Sequence, residues 1–263
     1  MVLILFAHQD DEFGCFFLIE QLIKQGRDYN IIYLTSGALK GDTAEPRNRE
    51  SIQVLRSLGV DEKKIFFMGQ NLDIADGSLH RHLSTAYTGL IEFVNRREKV
   101  SSVLCPAWEG GHHDHDAVYL LALTIALRFR CLDKSRQFSL YHGKNLPYMF
   151  FKVLSPLKEN GEVFKEKLSW SSKFRYIKYC TQYPSQLRTW IGLLPFVFMK
   201  YLFQGQQCTQ KINLSCINEP PYDGSLLYER RNFCSNIEFN QYKDAYVQEV
   251  LSSYADAYNA RDL

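Results

Sequence analysis

The sequence predicts an α/β fold, a mostly parallel sheet with helices on both faces and an elaborated C-terminal part. In the first half of the chain, short apolar runs of strand length alternate with longer runs whose apolar residues recur at helical spacing. Gly26 and Gly59 stand just past two of those helical runs, where a left-handed residue closes a helix. Two His/Asp-rich stretches, at residues 8–12 and 112–116, each fall between a strand-like run and a helical one, where the sites of open α/β sheets form.

The elements follow in order. Val2–Ala7 is an apolar run that stops at His8, and apolar residues resume from Phe13 to Gly26 at helical spacing, giving strand, polar turn and helix. Tyr29–Thr35, Ile65–Met68 and Val100–Cys105 read as further strands, separated by helices at Arg47–Gly59 and Leu83–Glu98. A helix over Asp116–Arg130 and a fifth strand over Phe138–Tyr141 complete the pattern. Beyond it, Met149–Ser155 suits a strand, and Asn160-Gly161 a hairpin turn leading into Glu162–Lys165. Ser171–Thr181 suits a helix that ends before Pro184, residues 204–240 suit long loops, and Tyr242–Tyr258 a terminal helix. No linker composition divides the chain, so residues 1–263 are expected to form one domain, with 1–145 as core and 146–263 as an extension shaping the pocket.

Composition narrows the function classes. The 263 residues are 46% hydrophobic, enough for a sizeable core, and 31 basic against 29 acidic residues leave no footprint for nucleic acid. Seven scattered cysteines form no C-x-x-C pair, so neither a zinc ribbon nor a redox motif is expected, and a cytoplasmic setting is. The apolar start lacks the basic flank and length of a leader, and no apolar run reaches the roughly 18 residues of a membrane span. The most apolar stretch, Trp190–Phe203, is read as buried core broken at Pro195. Its second reading is an aromatic lip that seats a lipid-linked sugar or touches a membrane surface.

The two polar clusters carry the chemistry. His8 and Asp11 are three residues apart in a turn, and an imidazole and a carboxylate aimed at one point are good zinc ligands. Asp10 must then point elsewhere and is free to hold a water. Three of the seven histidines, His112, His113 and His115, lie within four residues after Gly110-Gly111. Each cluster has a plainer reading, as a helix start whose carboxylates suit the dipole or as a polar surface tract. Two such turns at equivalent positions on one sheet edge favour a metal centre instead, since three protein ligands and an open position make a catalytic zinc site.

At these residues the sequence resembles the LmbE/PIG-L superfamily of zinc-dependent deacetylases acting on N-acetylglucosamine-type sugars. Its first signature, His-Pro-Asp-Asp-Glu, stands here as His8-Gln9-Asp10-Asp11-Glu12, and its second, His-Pro-Asp-His, as His112-His113-Asp114-His115. Both prolines are replaced, at positions that are not ligands, which implies altered loop rigidity. Thr35-Ser36-Gly37, Arg47 with Glu50, Asp76-Gly77-Ser78-Leu79 and Tyr183-Pro184-Ser185-Gln186 resemble weaker family segments.

The resemblance implies a Rossmann-like sheet and a role for each motif residue. His8, Asp11 and His115 would hold Zn2+, although two imidazoles and a carboxylate also accept iron, cobalt or manganese. Asp10 would be the general base, and His112 would stabilise the oxyanion or protonate the leaving amine, with Asp114 orienting and charging it. Arg47 would contact substrate hydroxyls. The expected activity is removal of an acetyl group from a small N-acetylated sugar or glycoconjugate, releasing acetate. The rivals are a metal-dependent phosphoester hydrolase, which needs a second metal and further carboxylates, and a non-catalytic sugar-binding module.

Overall fold

The computed structural model describes residues 1–39, 41–97 and 99–259; the helix end expected at Glu98 and residues 260–263 of the expected domain lie outside the described residues. The first strand, β1 (Val2–Phe6), is wholly buried and leads through a 3-10 turn, Asp11–Gly14, into α1 (Phe16–Lys24). There follow β2 (Tyr29–Tyr33), α2 (Glu45–Ser57), β3 (Ile65–Phe67), the single turn α3 (Met68–Asn71) and α4 (Leu83–Asn95). Then come β4 (Ser102–Pro106), α5 (His113–Arg128), β5 (Arg136–Phe138) and the small ribbon of β6 (Tyr141–His142) with β7 (Lys152–Val153). The C-terminal part supplies β8 (Phe164–Lys167), α6 (Trp170–Cys180), α7 (Leu187–Met199), β9 (Gln206–Lys211), α8 (Leu227–Arg230), α9 (Asn236–Tyr246) and α10 (Ser252–Asn259).

The main sheet runs β3-β2-β1-β4-β5-β9-β8. Its first five strands are parallel, with Val2 opposite both Tyr29 and Ser102, and β9 and β8 extend it in antiparallel sense. Alternate strand residues feed two cores. Leu3, Leu5, Ile32, Val103 and Cys105 pack under α4, α5, α9 and α10, while Val2, Ile4, Phe6, Ile31 and Tyr33 pack under α1, α2, α6 and α7. Strands buried on both faces read as continuous apolar runs, which is why β1, β2 and β4 were legible in sequence. In α5, every residue from His113 to Leu127 is buried. Such a helix is apolar all round because the C-terminal helices cover its outer side.

Strand order reverses between β1 and β4, so their carboxyl ends open a crevice outside the sheet. The two polar clusters follow those two strands.

Several sequence expectations are corrected. Residues 206–211, expected in a loop, form β9, because a polar strand at the sheet margin carries no apolar signature. β8 pairs with β9 rather than closing a local hairpin at Asn160-Gly161, and Met149–Ser155 contributes strand only at Lys152–Val153. Pro195 lies inside α7 without breaking it. It sits on the exposed side of the helix, where a carbonyl deprived of its helical partner is open to solvation rather than buried. The same segment is not wholly core: Trp190, Leu193 and Val197 are buried, whereas Ile191, Phe196, Phe198, Met199 and Phe203 are exposed. No helix among the described residues is long and apolar enough to cross a membrane.

Candidate active site

The turn after β1 is closed by Asp11. Its Oδ2 accepts from the backbone N–H groups of Ala7 (3.0 Å) and His8 (2.8 Å), which leaves Oδ1 to face the second cluster. The turn holds Asp10 at φ 119°, a conformation an L side chain rarely adopts and which surrounding structure must enforce. Glu12 helps enforce it: its buried carboxylate accepts the Asp10 N–H at 2.7 Å and the Tyr33 hydroxyl. Gln9, where the family motif has proline, donates to the Ser36 carbonyl (3.0 Å) and to Asn48 Oδ1 (2.6 Å), tying the turn to the neighbouring loop and to α2.

The second cluster depends on a close backbone approach. A Cβ on Gly111 would stand 1.9 Å from the Tyr141 carbonyl oxygen, so only glycine lets the chain enter α5 along this path. His112 caps α5, its Nδ1 accepting the Asp114 N–H at 3.2 Å. His115, in the first turn, places Nε2 3.0 Å from Asp11 Oδ1. His113, where the motif has proline, donates Nε2–H to the Gly77 carbonyl at 2.9 Å and so fastens the Asp76–Leu79 loop.

His8, Asp11 and His115 present donor atoms within 4.8 Å of one another, all three buried. His8 uses Nε2–H toward Asp114 Oδ2 (3.0 Å) and Asp76 Oδ1 (3.1 Å), which turns Nδ1 toward Asp11, 3.8 Å from its Oδ2. A carboxylate behind an imidazole is the support that metal-binding histidines commonly have. A buried carboxylate with two converging imidazole nitrogens fits zinc, and by the same donor types iron, cobalt or manganese.

Asp10, Asp11, His8, His112, Arg47 and Asp76 line a cavity of about 1000 Å³, walled farther out by Tyr141, Arg231 and Phe233. Burial, reinforced by Asp11 and Glu12, pushes the Asp10 carboxyl up to about 8, with Arg47 and His8 opposing. Burial pulls His8 down, but the Asp76, Asp114 and Asp11 carboxylates outweigh it and hold His8 well above the usual histidine range. Burial, then the neighbouring His113 and His8, drives His112 well below that range.

Two residues have their side chains engaged by further protein partners. The Asp114 carboxylate bonds to His8 and to the N–H groups of Gly77 (2.7 Å) and Leu79 (3.0 Å), and its charge favours a protonated His112 only against the larger effects of burial and of His113 and His8. With Nδ1 accepting a backbone N–H, His112 is neutral and carries its proton on Nε2. Arg47 lines the cavity, yet its guanidinium is taken up by Asp76 Oδ2 (3.1 Å), the Gln9 carbonyl (3.0 Å) and the Gly37 carbonyl, with Asp10 Oδ1 3.7 Å away. Sequence reasoning did not place Asp76 in the site, although its Asp-Gly turn was a visible signal. Tyr141, Arg231 and Phe233 had none, because they reach the cavity from the ribbon and the C-terminal loops.

Residues 3–126 match the family model described as PIG-L, GlcNAc-PI de-N-acetylase. Among solved structures, the chain is similar to a deacetylase of the teicoplanin biosynthesis pathway, with TM-score 0.59 and 16% identity over 80% of this chain and 96% of that one. The N,N'-diacetylchitobiose deacetylase of Pyrococcus horikoshii gives TM-score 0.51 and 18% identity, over 80% and 81% of the two chains. A conserved protein of Thermus thermophilus, TT1542, gives 0.52 and 20%, over 80% and 92%. No curated protein matches the sequence.

Proposed function

We propose, from the match of residues 3–126 to the PIG-L family of de-N-acetylases, that the chain is a zinc-dependent hydrolase removing the acetyl group from an N-acetylated amino sugar. The observation that carries the reading is Asp10: it stands beside the converging His8, Asp11 and His115 and lines the cavity, yet is not one of the three converging donors. A carboxylate kept off the metal but next to it is the arrangement that amide hydrolysis needs.

A divalent cation at His8, Asp11 and His115 would supply Lewis acidity toward the amide carbonyl and lower the pKa of a water to about 7. The chain supplies the rest. Asp10 takes the proton of the attacking water, help typically worth about 10²–10⁴-fold. Arg47 favours the ionised form of Asp10 against the larger opposing effect of burial and, through Asp76, steadies the wall against which the sugar lies. His112 offers Nε2–H to the developing oxyanion as a neutral imidazole donor. The proton that Asp10 gains passes to the departing amine, so that acetate and the free amino sugar leave.

A cavity of about 1000 Å³ accommodates a sugar with part of its aglycone. Neighbours that act on teicoplanin and on N,N'-diacetylchitobiose support a small N-acetylated glycoside or glycoconjugate. The seven free cysteines support a reducing cytoplasmic setting.

Acetate release from a panel of N-acetylglucosamine derivatives, with wild type beside Asp10→Asn and the metal content of both determined, tests the reading. Acetate from the wild type alone at equal metal loading supports it. No acetate from any derivative by the metal-loaded wild type sinks it.

A further inference from the structure

Outside that centre, a second group of metal-ligating side chains gathers where α9 begins. We propose that His80, Cys234 and Glu238 form a separate divalent-cation site of zinc type, which fastens the C-terminal loop at residues 231–235 to the turn at residues 79–82.

The three donors come together for local reasons. Ser235 caps α9 by accepting the Glu238 N–H at 3.1 Å, a start signal that sets Cys234 just before the helix and Glu238 in its first turn. His80 lies in the 3-10 turn Leu79–His82, which is anchored beneath by the bond from Leu79 N–H to Asp114. Its ring is held edge-on by His113 and Tyr242, with centroids at 4.9 and 5.5 Å. His80 and Cys234 are buried, and Glu238, partly exposed, forms the solvent side of the group.

The spacing is that of ligands around one ion. His80 Nε2 stands 3.4 Å from Glu238 Oε1 and 3.8 Å from Cys234 Sγ. Tetrahedral zinc with its ordinary bond lengths separates nitrogen and oxygen ligands by about 3.3 Å, and nitrogen and sulfur ligands by about 3.6 Å. One thiolate, one imidazole and one carboxylate leave a fourth position for water, and binding releases the Cys234 thiol proton to solvent. Arg81 is the competitor, since its guanidinium also lies on Glu238 Oε1, at 2.5 and 3.0 Å. That pair is half exposed, and surface pairs of this kind hold weakly.

The consequence reaches the cavity. Phe233, next to Cys234, packs on His112 at 5.6 Å between centroids and lines the cavity wall. An ion on Cys234 would fix that aromatic wall, and Arg81, released from Glu238, already borders the same cavity.

Cobalt distinguishes the two centres, because a thiolate bound to Co2+ gives a charge-transfer absorption and His8, Asp11 and His115 include no sulfur. Among the described residues, Cys234 is the one cysteine within such a group. The full chain titrated with Co2+ should develop the band and lose it on adding Zn2+. Cys234→Ser should abolish it. Glu238→Gln, at a half-exposed position that should leave the fold intact, should raise the cobalt concentration for half-saturation by about 10-fold or more, and Arg81→Gln should lower it. A wild type without the band, a Cys234→Ser protein that keeps it, or a Glu238→Gln protein with unchanged affinity would each overturn the proposal.

Discussion

Asp114 Oδ2 lies 3.0 Å from His8 Nε2, so the one carboxylate of the second motif supports a histidine of the first. The bond crosses from the first turn of α5 to the end of β1 and couples the two sequence motifs directly. It also fixes His8 with Nδ1 toward Asp11. Asp114→Asn should therefore weaken metal binding by about 10–100-fold, the usual worth of such a supporting carboxylate. Turnover at saturating metal should fall far less. A chelator competition titration on both proteins checks this; unchanged affinity with collapsed turnover would instead return Asp114 to His112.

Arg47 opposes burial at the Asp10 carboxyl. The guanidinium 3.7 Å from Asp10 Oδ1 lowers the carboxyl's pKa against a larger opposing effect of burial. A general base works only when ionised, so activity is lost as pH falls through that pKa. Removing the cation in Arg47→Gln raises the pKa, and the acid limb of kcat/KM should move to higher pH, on the order of one unit. A pH–rate profile in which the limb stays put, with only KM changed, would mean that Arg47 acts on substrate alone.

Gly111→Ala probes the path into α5. The added Cβ would meet the Tyr141 carbonyl, a backbone atom that cannot rotate away. Either this segment or the β6 ribbon must shift, at roughly 1–3 kcal/mol of stability, and His112 moves with it. Urea denaturation should show the loss, together with a drop in activity larger than the stability change alone produces. Wild-type stability and activity would show that the backbone there has room to spare.

Much of this was legible in the sequence for definite reasons. β1, β2 and β4 are buried on both faces and wrote themselves as apolar runs. The motif turns showed because polar residues interrupt those runs abruptly, as at His8. β9 escaped because Gln206–Lys211 is a polar strand whose place is given by pairing with β5 and β8, a long-range fact. The bond of Asp114 to His8 escaped for a similar reason: the resemblance implied a role for Asp114 on His112, while the helix start turned the carboxylate toward His8, 106 positions away. Tyr141 and Phe233 reach the cavity only through tertiary packing.

His142 should make the protein acid-sensitive. Its Nε2–H donates to the Ser155 carbonyl at 2.8 Å and its Nδ1 accepts the Lys144 N–H at 3.2 Å, an arrangement that exists only for the neutral ring. Burial lowers its pKa to about 4, against about 6.5 in the unfolded chain. Between those values the unfolded state binds the extra proton, so stability present above pH 6.5 is lost as pH falls toward 4. The loss is on the order of 2–3 kcal/mol. His142→Gln should be less stable at pH 7 but flatter across that window. Parallel urea midpoints for the two proteins would refute the assignment.

Metal binding should itself depend on pH, through His8. In the metal-free protein the three carboxylates around His8 outweigh its burial and hold its imidazole protonated well above the usual range. That proton neutralises part of a cluster in which Asp11, Asp76 and Asp114 stand close together, so the chain should remain folded after chelation. A dication can reach Nδ1 only if one proton leaves, while Nε2–H stays on Asp114. Over the range where His8 is protonated, the dissociation constant should thus fall about tenfold for each unit of rising pH. His8→Asn, with no proton to release, should bind weakly and lose that slope. Competition titrations with a metal-sensitive dye at several pH values measure both. A flat profile in the wild type would mean that the apo site holds His8 neutral, and that its carboxylate neighbours share their charge elsewhere.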